Sequence, residues 1–289
     1  MTQIRLGTPG DAARERELWQ LAFGDDGAYV DNFYQTYYKP ERMLLLEEDG
    51  VVQSMTAWFD TQLVLPGEGR FRAAYLYAVA TDPAARGRGL AGRLLAGADE
   101  YFRGLAIPAV TTVPAEPSLH NFFGANGFRE CFTLLPGRTW TPGELPAPAW
   151  DNPLRPVSPA ELRGRAGEDL ADCPHIAYPE EALAYQAGCC ALSGGGLFAG
   201  ETEDGPCLRL RRRGRGRVWW CIRSCWARSC GPFCPICPGW SRGSAFWCGA
   251  LWPSVRQRSG GWQFGMLKWL SPDREEAWDW SRTAYLGLA

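Results

Sequence analysis

The clearest chemical signal in the sequence is a glycine-rich turn between a predicted strand and a predicted helix. Residues 79–95 read Val-Ala-Thr-Asp-Pro-Ala-Ala-Arg-Gly-Arg-Gly-Leu-Ala-Gly-Arg-Leu-Leu. Gly87 and Gly89 allow the backbone to come close to a ligand, and the free N–H groups at the start of a helix favour an anion such as phosphate. Arg86 and Arg88 add positive charge. The run therefore predicts a phosphate site, with an ordinary strand-to-helix turn as the alternative.

Three side chains near this turn are candidates for proton transfer. Tyr75 and Tyr77 share one face of the predicted strand with Ala73 and Val79, and both could reach a cleft at the end of that strand. Glu116 precedes a short predicted helix and could act as a base through a water molecule, because a carboxylate near a closed cleft can have a raised pKa. The alternatives are half-buried packing for the tyrosines and capping or solvation for Glu116.

These residues resemble the GNAT superfamily of N-acetyltransferases. The acyl-CoA pyrophosphate loop of that family has the pattern Gln/Arg-x-x-Gly-x-Gly/Ala, which Arg86, Gly89 and Ala91 match. Its second signature, Phe-Tyr-x-x-x-Gly-Phe, resembles Phe-Phe-Gly-Ala-Asn-Gly-Phe at residues 122–128. The resemblance covers residues 3–135 and looks closest to the enhanced-intracellular-survival-type branch, whose members carry a second GNAT-like unit.

The resemblance implies transfer of an acetyl group from acetyl-CoA to a primary amine by direct attack, with no metal. The acceptor would be a small molecule or a peptide. The residues that would bind the cofactor follow the strand end, the turn and the helix start, with one on a later helix: Val79, Ala80, Thr81, Arg86, Gly87, Arg88, Gly89, Leu90, Ala91, Gly92 and Phe123.

The sequence departs from the family pattern at one catalytic position. Family members usually have a tyrosine where this chain has Phe123, and that tyrosine protonates the departing thiolate. Phenylalanine has no proton to give. The acid is therefore a different residue such as Tyr75 or Tyr77, or water protonates the thiolate, or the activity is low. A catalytically silent acyl-CoA-binding or regulatory protein is one alternative function, and a metal- or nucleic-acid-binding module in the Cys- and Arg-rich residues 207–262 is another.

The elements that position these residues alternate between strands and helices. The predicted fold class is α/β, with a GNAT-type mixed, splayed β-sheet flanked by helices. Strands are predicted over residues 3–6, 43–46, 51–65, 72–81, 107–113 and 128–134, and helices over about 11–22, 28–38, 93–102 and 118–125.

Three segments are predicted along the chain. Residues 1–138 form the acetyltransferase domain, residues 139–158 form a Pro-rich linker, and residues 159–289 form a second, degenerate GNAT-like unit. In that unit, helices are predicted at residues 159–164 and 180–187, strands at 197–199 and 264–270, and a short segment around Trp278 at 275–285.

The composition of residues 207–262 differs from the rest of the chain. This segment contains 11 Arg, 7 of the 11 Cys and 7 of the 14 Trp, and it has no Asp or Glu. Cys221, Cys225, Cys230, Cys234 and Cys237 match zinc-site spacings poorly, and the arginines with Trp219 and Trp220 are a weak nucleic-acid signal. Such a composition is typical of a GC-rich gene read in a shifted frame, so we interpret the segment as partly frameshifted.

The remaining residues carry 19 basic against 32 acidic side chains. Four acids, Asp25, Asp26, Glu47 and Glu48, could line an acceptor mouth that attracts cationic amines. The N-terminus lacks a signal-peptide pattern and no apolar run is long enough for a bilayer, which predicts a cytoplasmic protein with no membrane partner. No nucleic-acid partner is expected, and no oligomeric state is predicted.

Overall fold

The computed structural model describes residues 2–134, 155–192, 196–202, 205–212, 218–223, 262–280 and 284. The described strands are β1 (Thr2–Leu6), β2 (Met43–Glu48), β3 (Val51–Leu65), β4 (Gly69–Thr81), β5 (Ala109–Thr112), β6 (Arg129–Leu134), β7 (Arg155–Pro156), β8 (His175–Ala177), β9 (Gly196–Thr202), β10 (Gly205–Arg212), β11 (Val218–Arg223) and β12 (Trp262–Trp269). The described helices are α1 (Ala12–Phe23), α2 (Gly27–Thr36), α3 (Leu90–Gly104), α4 (Leu119–Ala125), α5 (Pro159–Asp169), α6 (Glu180–Leu192) and α7 (Pro272–Ala277).

Several predictions fall largely outside these residues. Of the predicted linker, only residues 155–158 are described, and of residues 207–262 the described part is the backbone of β10 and β11 and the first residue of β12. The zinc, nucleic-acid and reading-frame hypotheses for that segment therefore lie outside the described side chains. No helix in the described part of the chain combines the length and apolar composition of a bilayer-spanning segment.

The main sheet is mixed, as predicted. Its strand order is β1-β2-β3-β4-β5-β12-β6, and β8 pairs with the far half of β3. The β4–β5 pair is parallel, and the other pairs are antiparallel.

Helices cover both faces of this sheet, which explains the continuous apolar run in β2. Met43 and Leu45 pack in the layer beneath α1 and α2, and Leu44 and Leu46 pack in the layer beneath α3.

A bulge in β4 shapes the centre of the sheet. Tyr77 pairs with Ala57 and Ala80 pairs with Met55, so two residues of β4 lie opposite one residue of β3. Ala78, within the bulge, has φ of +51°.

The bulge shifts the alternation of side chains by one residue. The predicted common face is therefore wrong at Val79, which packs on the opposite layer from Tyr75 and Tyr77.

The β4 and β5 strands separate where the bulge begins, so the predicted splay is confirmed. Their last paired residues are Leu76 and Thr112. No other described strand takes the place of β5 along residues 77–81. This stretch of β4 therefore presents a backbone edge to the gap between the two strands.

Strand β12 completes the first sheet from the far end of the chain. It lies between β5 and β6, with Met266 opposite both Thr112 and Glu130. Lys268 donates to the backbone O of Asn126 at 2.6 Å and pairs with Asp99 of α3. The strand predicted at residues 264–270 is confirmed, although it belongs to the sheet of the N-terminal region. The domain boundaries themselves stay a prediction.

Helix α6 of the C-terminal region packs on the helical layer of the first sheet. Helix α6 lies against α2, where Asn32 donates to the backbone O of Tyr185 at 2.9 Å. Glu181 binds Lys39 at 3.0 Å and Arg42 at 2.6 Å. A second sheet has the order β11-β10-β9-β7.

The C-terminal region differs from the sequence-based prediction at two places. The short segment expected at residues 275–285 overlaps the end of helix α7, which begins at Pro272 and ends at Ala277, before Trp278; a Pro is favoured in a first helical turn. Residues 281–283 and 285 lie outside the described residues. Strand β8 was not predicted, because three residues are too few to show the alternating pattern of a strand.

Candidate functional site

The predicted phosphate turn has the backbone conformation that its glycines suggest. Asp82 accepts a hydrogen bond from Ala84 N at 2.9 Å and begins a short 3-10 turn after β4. Gly87 and Gly89 have φ of +76° and +72°. Side chains disfavour this left-handed region, so glycine is needed for conformation here, although a Cβ at either position would meet open space.

The start of α3 faces the same turn. Its first helical hydrogen bond runs from Arg93 N to Gly89 O at 3.1 Å, so the N–H groups of Leu90, Ala91 and Gly92 precede the bonding pattern of the helix. These amides and the positive end of the helix dipole would both favour an anion at the turn.

The arginines of the turn already have partners. Arg86 Nε donates to Thr81 O at 3.3 Å. Arg88 donates to a carboxylate oxygen of Glu48 at 2.6 Å, and Arg93 lies 3.7 Å from the other oxygen of Glu48. A phosphate at the turn would therefore compete with Glu48 for Arg88.

A cleft of about 230 Å³ lies where β4 and β5 separate. Tyr75, Tyr77, Val79 and Phe123, all predicted site residues, line it. The other lining residues come from α1 and the segments that follow it, from β4 and from the chain around β5 and α4: Trp19, Phe23, Asp25, Leu76, Ala78, Thr112, Val113, Ala115 and Leu119. The cleft is predominantly apolar and aromatic, and Asp25 is its acidic lining residue.

The predicted residues Ala80 and Thr81 lie beside the cleft. The Ser54 hydroxyl on β3 donates to Ala80 O at 2.7 Å, and it lies 2.8 Å from the hydroxyl of Thr81. These contacts fix the end of β4 just before the turn. A role for either residue in cofactor binding would therefore involve the backbone.

Glu116 is not brought into the cleft. It is exposed on the turn before α4, and its carboxylate accepts a hydrogen bond from Ser118 at 3.3 Å. It is absent from the lining of the cleft. Its role as a base through water stays a prediction.

The two tyrosines of β4 line the cleft, Tyr75 strongly buried and Tyr77 partly buried. Tyr75 is 4% exposed, and burial raises the pKa of both Tyr75 and Tyr77 well above the usual range of a phenol. The Tyr77 hydroxyl lies 3.0 Å from that of Tyr29 and 2.8 Å from that of Tyr185. Sequence patterns gave no sign of Tyr29 or Tyr185, because the contact depends on the docking of α6.

One of the four predicted mouth acids lines the cleft. Asp25 accepts a hydrogen bond from the indole N–H of Trp19 at 2.8 Å. Asp26 caps α2, Glu47 binds Arg5 at 2.8 Å, and Glu48 binds Arg88. The other three acids therefore have structural partners.

Comparison with known proteins identifies the first part of the chain. Residues 3–127 match the family model described as an acetyltransferase (GNAT) domain. A search of curated proteins finds no sequence relative.

Solved structures extend the similarity in fold along most of the chain. Eis1 from Mycobacterium abscessus is 13% identical with a TM-score of 0.64, and the match covers 96% of this chain and 75% of that protein. A GCN5-related N-acetyltransferase from Anabaena variabilis ATCC 29413 is 13% identical with a TM-score of 0.66, covering 94% and 73%. Another from Kribbella flavida is 16% identical with a TM-score of 0.65, covering 92% and 70%.

The matched domain spans the strand, turn and helix that carry the phosphate motif. The expected resemblance and fold class are confirmed by this match and by the mixed, splayed sheet. Residues 3–127 therefore form a GNAT acetyltransferase domain.

Proposed function

We propose that this chain transfers the acetyl group of acetyl-CoA to a primary amine by direct attack. The observation that carries the proposal is the continuity of three features in the matched domain. The cleft beside Tyr77, the free edge of β4 beyond Leu76 and the amides at the start of α3 follow one another along the chain. An extended cofactor with a diphosphate at one end and a thioester at the other fits this order.

The cofactor would lie along the gap between β4 and β5. Its diphosphate would bind the amides of residues 87–92, where the helix dipole favours negative charge. Its pantetheine arm would pair with the backbone of residues 79–81, which β5 leaves open. The acetyl group would then reach the cleft beside Tyr77 and Phe123.

The chemical step requires an oxyanion donor and an acid. A neutral amine attacks the carbonyl carbon of the thioester, a backbone N–H of β4 supports the oxyanion, and the C–S bond breaks. Phe123 cannot protonate the thiolate. Tyr77 lines the same cleft, and we assign it as the acid.

The walls of the cleft suit an amine with an apolar body. Trp19, Phe23 and Leu119 provide apolar surface, and Phe23 and Leu119 are partly exposed at 38% and 36%. The carboxylate of Asp25, which the hydrogen bond from Trp19 holds in place, attracts the cationic form of the acceptor. A small-molecule or peptide amine therefore fits better than an anionic acceptor.

A catalytically silent acyl-CoA-binding protein is the second candidate. One observation favours it, which is Phe123 at the position that usually supplies the acid. Calorimetric titration with acetyl-CoA, followed by thiol release across a panel of amines, separates the two candidates. Thiol release supports the enzyme, binding without release supports the silent protein, and absence of binding contradicts both.

A matched pair of glycine variants tests the phosphate site. Gly89→Leu and Gly67→Leu both place a side chain at a left-handed residue with open space, φ being +72° and +79°. Each should therefore cost roughly 1–2 kcal/mol of stability. Only Gly89→Leu should weaken acetyl-CoA binding, by ~10-fold or more (about 1.4 kcal/mol), in the same titration. Unchanged affinity in Gly89→Leu would mean that the loop is merely a turn.

A further inference from the structure

Three tyrosine hydroxyls from three elements meet behind the cleft. The oxygen of Tyr77 on β4 lies 3.0 Å from that of Tyr29 on α2 and 2.8 Å from that of Tyr185 on α6. Tyr77 also lines the cleft and is only partly buried, so the cluster extends from the cleft into the packing between α2 and α6.

The hydroxyl protons of this cluster can be arranged so that the proton of Tyr77 is directed toward the cleft. Each phenol carries one proton and can also accept hydrogen bonds. When Tyr29 and Tyr185 both donate to the oxygen of Tyr77, the proton of Tyr77 itself remains available to a group in the cleft. This is the arrangement that an acid at this position requires.

Tyr185 is held firmly for such a role. Its side chain is 0% exposed, and its ring centroid lies 5.5 Å from that of Phe33 and 5.9 Å from that of Phe59. Its backbone O accepts a hydrogen bond from Asn32 at 2.9 Å. The hydroxyl is therefore fixed before any ligand binds.

We propose that Tyr185, contributed by the C-terminal region, is a positioning residue for Tyr77. Its hydroxyl orients the phenol of Tyr77 and stabilises the negative charge that forms on that oxygen when the proton leaves. This inference rests on the proposed acetyl transfer.

In the proposed step every proton and electron pair has a destination. The amine nitrogen bonds to the carbonyl carbon, the C–S bond breaks, and its electron pair remains on sulfur. The proton of Tyr77 Oη moves to that sulfur. The proton lost by nitrogen passes to solvent, and solvent restores the proton of Tyr77 through the half-buried Tyr29.

The environment explains why a second donor matters. Burial raises the pKa of Tyr77, so the phenol keeps its proton at neutral pH and gives it up only if the phenolate is stabilised. Hydrogen-bond donors that are fixed in advance act on the charge as it develops and require no reorganisation. Tyr29 and Tyr185 are placed to act in this way.

A double-mutant cycle in the full-length chain tests the proposal. Steady-state kinetics with acetyl-CoA and a reactive amine are measured for Tyr185→Phe, Tyr77→Phe and the double variant. We expect kcat to fall about 10-fold in Tyr185→Phe and about 100-fold in Tyr77→Phe, with the KM for acetyl-CoA unchanged. The double variant should be no slower than Tyr77→Phe, because Tyr185 acts through Tyr77.

Tyr37→Phe is the matched control. Its hydroxyl is also buried in the aromatic layer, where it donates to Trp58 O at 3.2 Å, but Tyr37 does not line the cleft. We expect this variant to keep the wild-type kcat. Far-UV circular dichroism and melting curves verify that each variant is folded.

The possible outcomes are distinct. Unchanged kcat in Tyr185→Phe, or a loss that adds fully to that of Tyr77→Phe, overturns the inference while leaving the acetyl transfer intact. Absence of wild-type turnover with any amine overturns the proposed function and this inference with it. If Tyr185→Phe fails to fold, the same cycle with Tyr29→Phe removes the other donor, and additivity there also overturns the proposal.

Discussion

Arg88 of the phosphate turn is held by an acid at the end of β2. Glu48 lies at the end of β2, binds Arg88 at 2.6 Å and lies 3.7 Å from Arg93. Its side chain is 14% exposed, whereas that of Arg88 is 54% exposed. The exposed arginine side chain can therefore move away from this pair more easily than the less exposed glutamate side chain can. Binding of a diphosphate would exchange one anion for another at Arg88.

Removal of the competing carboxylate should strengthen cofactor binding. We expect Glu48→Gln to lower the Kd for acetyl-CoA about 2- to 5-fold, because an exposed ion pair contributes ~0–1 kcal/mol that the cofactor no longer has to overcome. The gain should shrink as salt is added, since salt screens exposed charges. Titration calorimetry at low and high ionic strength measures both effects.

The neighbouring acid provides the control for this experiment. Glu47 binds Arg5 at 2.8 Å, away from the turn, so Glu47→Gln should leave the Kd unchanged. Weaker binding in Glu48→Gln would show that Glu48 holds Arg88 in place for the cofactor and does not compete with it.

Residue types alone predicted the turn and missed the partners of its side chains. Gly87 and Gly89 could be assigned from sequence because a left-handed conformation has few alternatives to glycine. The bond between Arg88 and Glu48 joins residues 40 positions apart, and no local pattern indicates it. Similarly, Asp25 could not be distinguished from Asp26 before the structure showed that Asp26 caps α2.

At the scale of elements, the contact between α6 and α2 decides whether Tyr185 reaches Tyr77. A Cβ at Gly188 of α6 would lie 2.0 Å from the Oδ1 of Asn32 and 2.7 Å from its Cγ. The Asn32 side chain cannot easily move, because it donates to Tyr185 O and to the sulfur of Cys189. Gly188 therefore permits the close approach of the two helices.

A single methyl group at this contact should separate the helices. We expect Gly188→Ala to cost ~1–3 kcal/mol of stability, as overpacking does, and to lower kcat by displacing Tyr185. Gly164→Ala on α5 is the control, because its Cβ would meet open space and alanine favours a helix. Thermal melts and steady-state kinetics measure both variants. Retention of stability and kcat in Gly188→Ala would show that the helix contact adapts without cost.

The sequence predicted elements better than their partners. Periodicity located β12, yet its place between β5 and β6 depends on contacts such as that of Lys268 with Asn126, which are 142 positions apart. The bulge at Ala78 was also missed, because nothing in an Ala-Val-Ala run marks a positive φ. Pairings over such distances depend on packing of the complete chain.

At the scale of the whole molecule, the C-terminal region contributes to the main sheet and to the helices that cover it. β12 lies within the sheet, and α6 packs on α2 beside the cleft. A variant in the C-terminal region can therefore change the activity of a motif that lies entirely within residues 79–95. The activity therefore depends on the stability of the complete fold.

A buried acid makes that stability depend on pH. Glu15 on α1 is 0% exposed, and it accepts a hydrogen bond from Tyr34 at 3.2 Å. Arg5, the cation that acts on Glu15, binds Asp11 and Glu47. Burial raises the pKa of Glu15 from 4.5 to about 7. The native carboxyl therefore holds its proton more tightly than the carboxyl of the unfolded chain does.

The sign of the effect follows from this difference. The contribution of Glu15 to the free energy of unfolding is fully present below pH 4.5 and is lost as the pH rises to about 7, by up to ~3 kcal/mol at 1.36 kcal/mol per pKa unit. Asp11 acts in a different range, because Arg5 lowers its pKa and its contribution is lost only as the pH falls below 4.

Glu15→Gln should remove this pH dependence, because the amide is close in shape to the protonated acid and carries no proton to lose. Denaturant unfolding of both proteins at pH 5, 6, 7 and 8 compares the slopes. We expect the wild type to lose stability across this range and the variant to lose much less, so that the variant is the more stable protein at pH 8. Equal slopes would show that Glu15 is ionised in the native state, with its charge compensated by the network around Arg5.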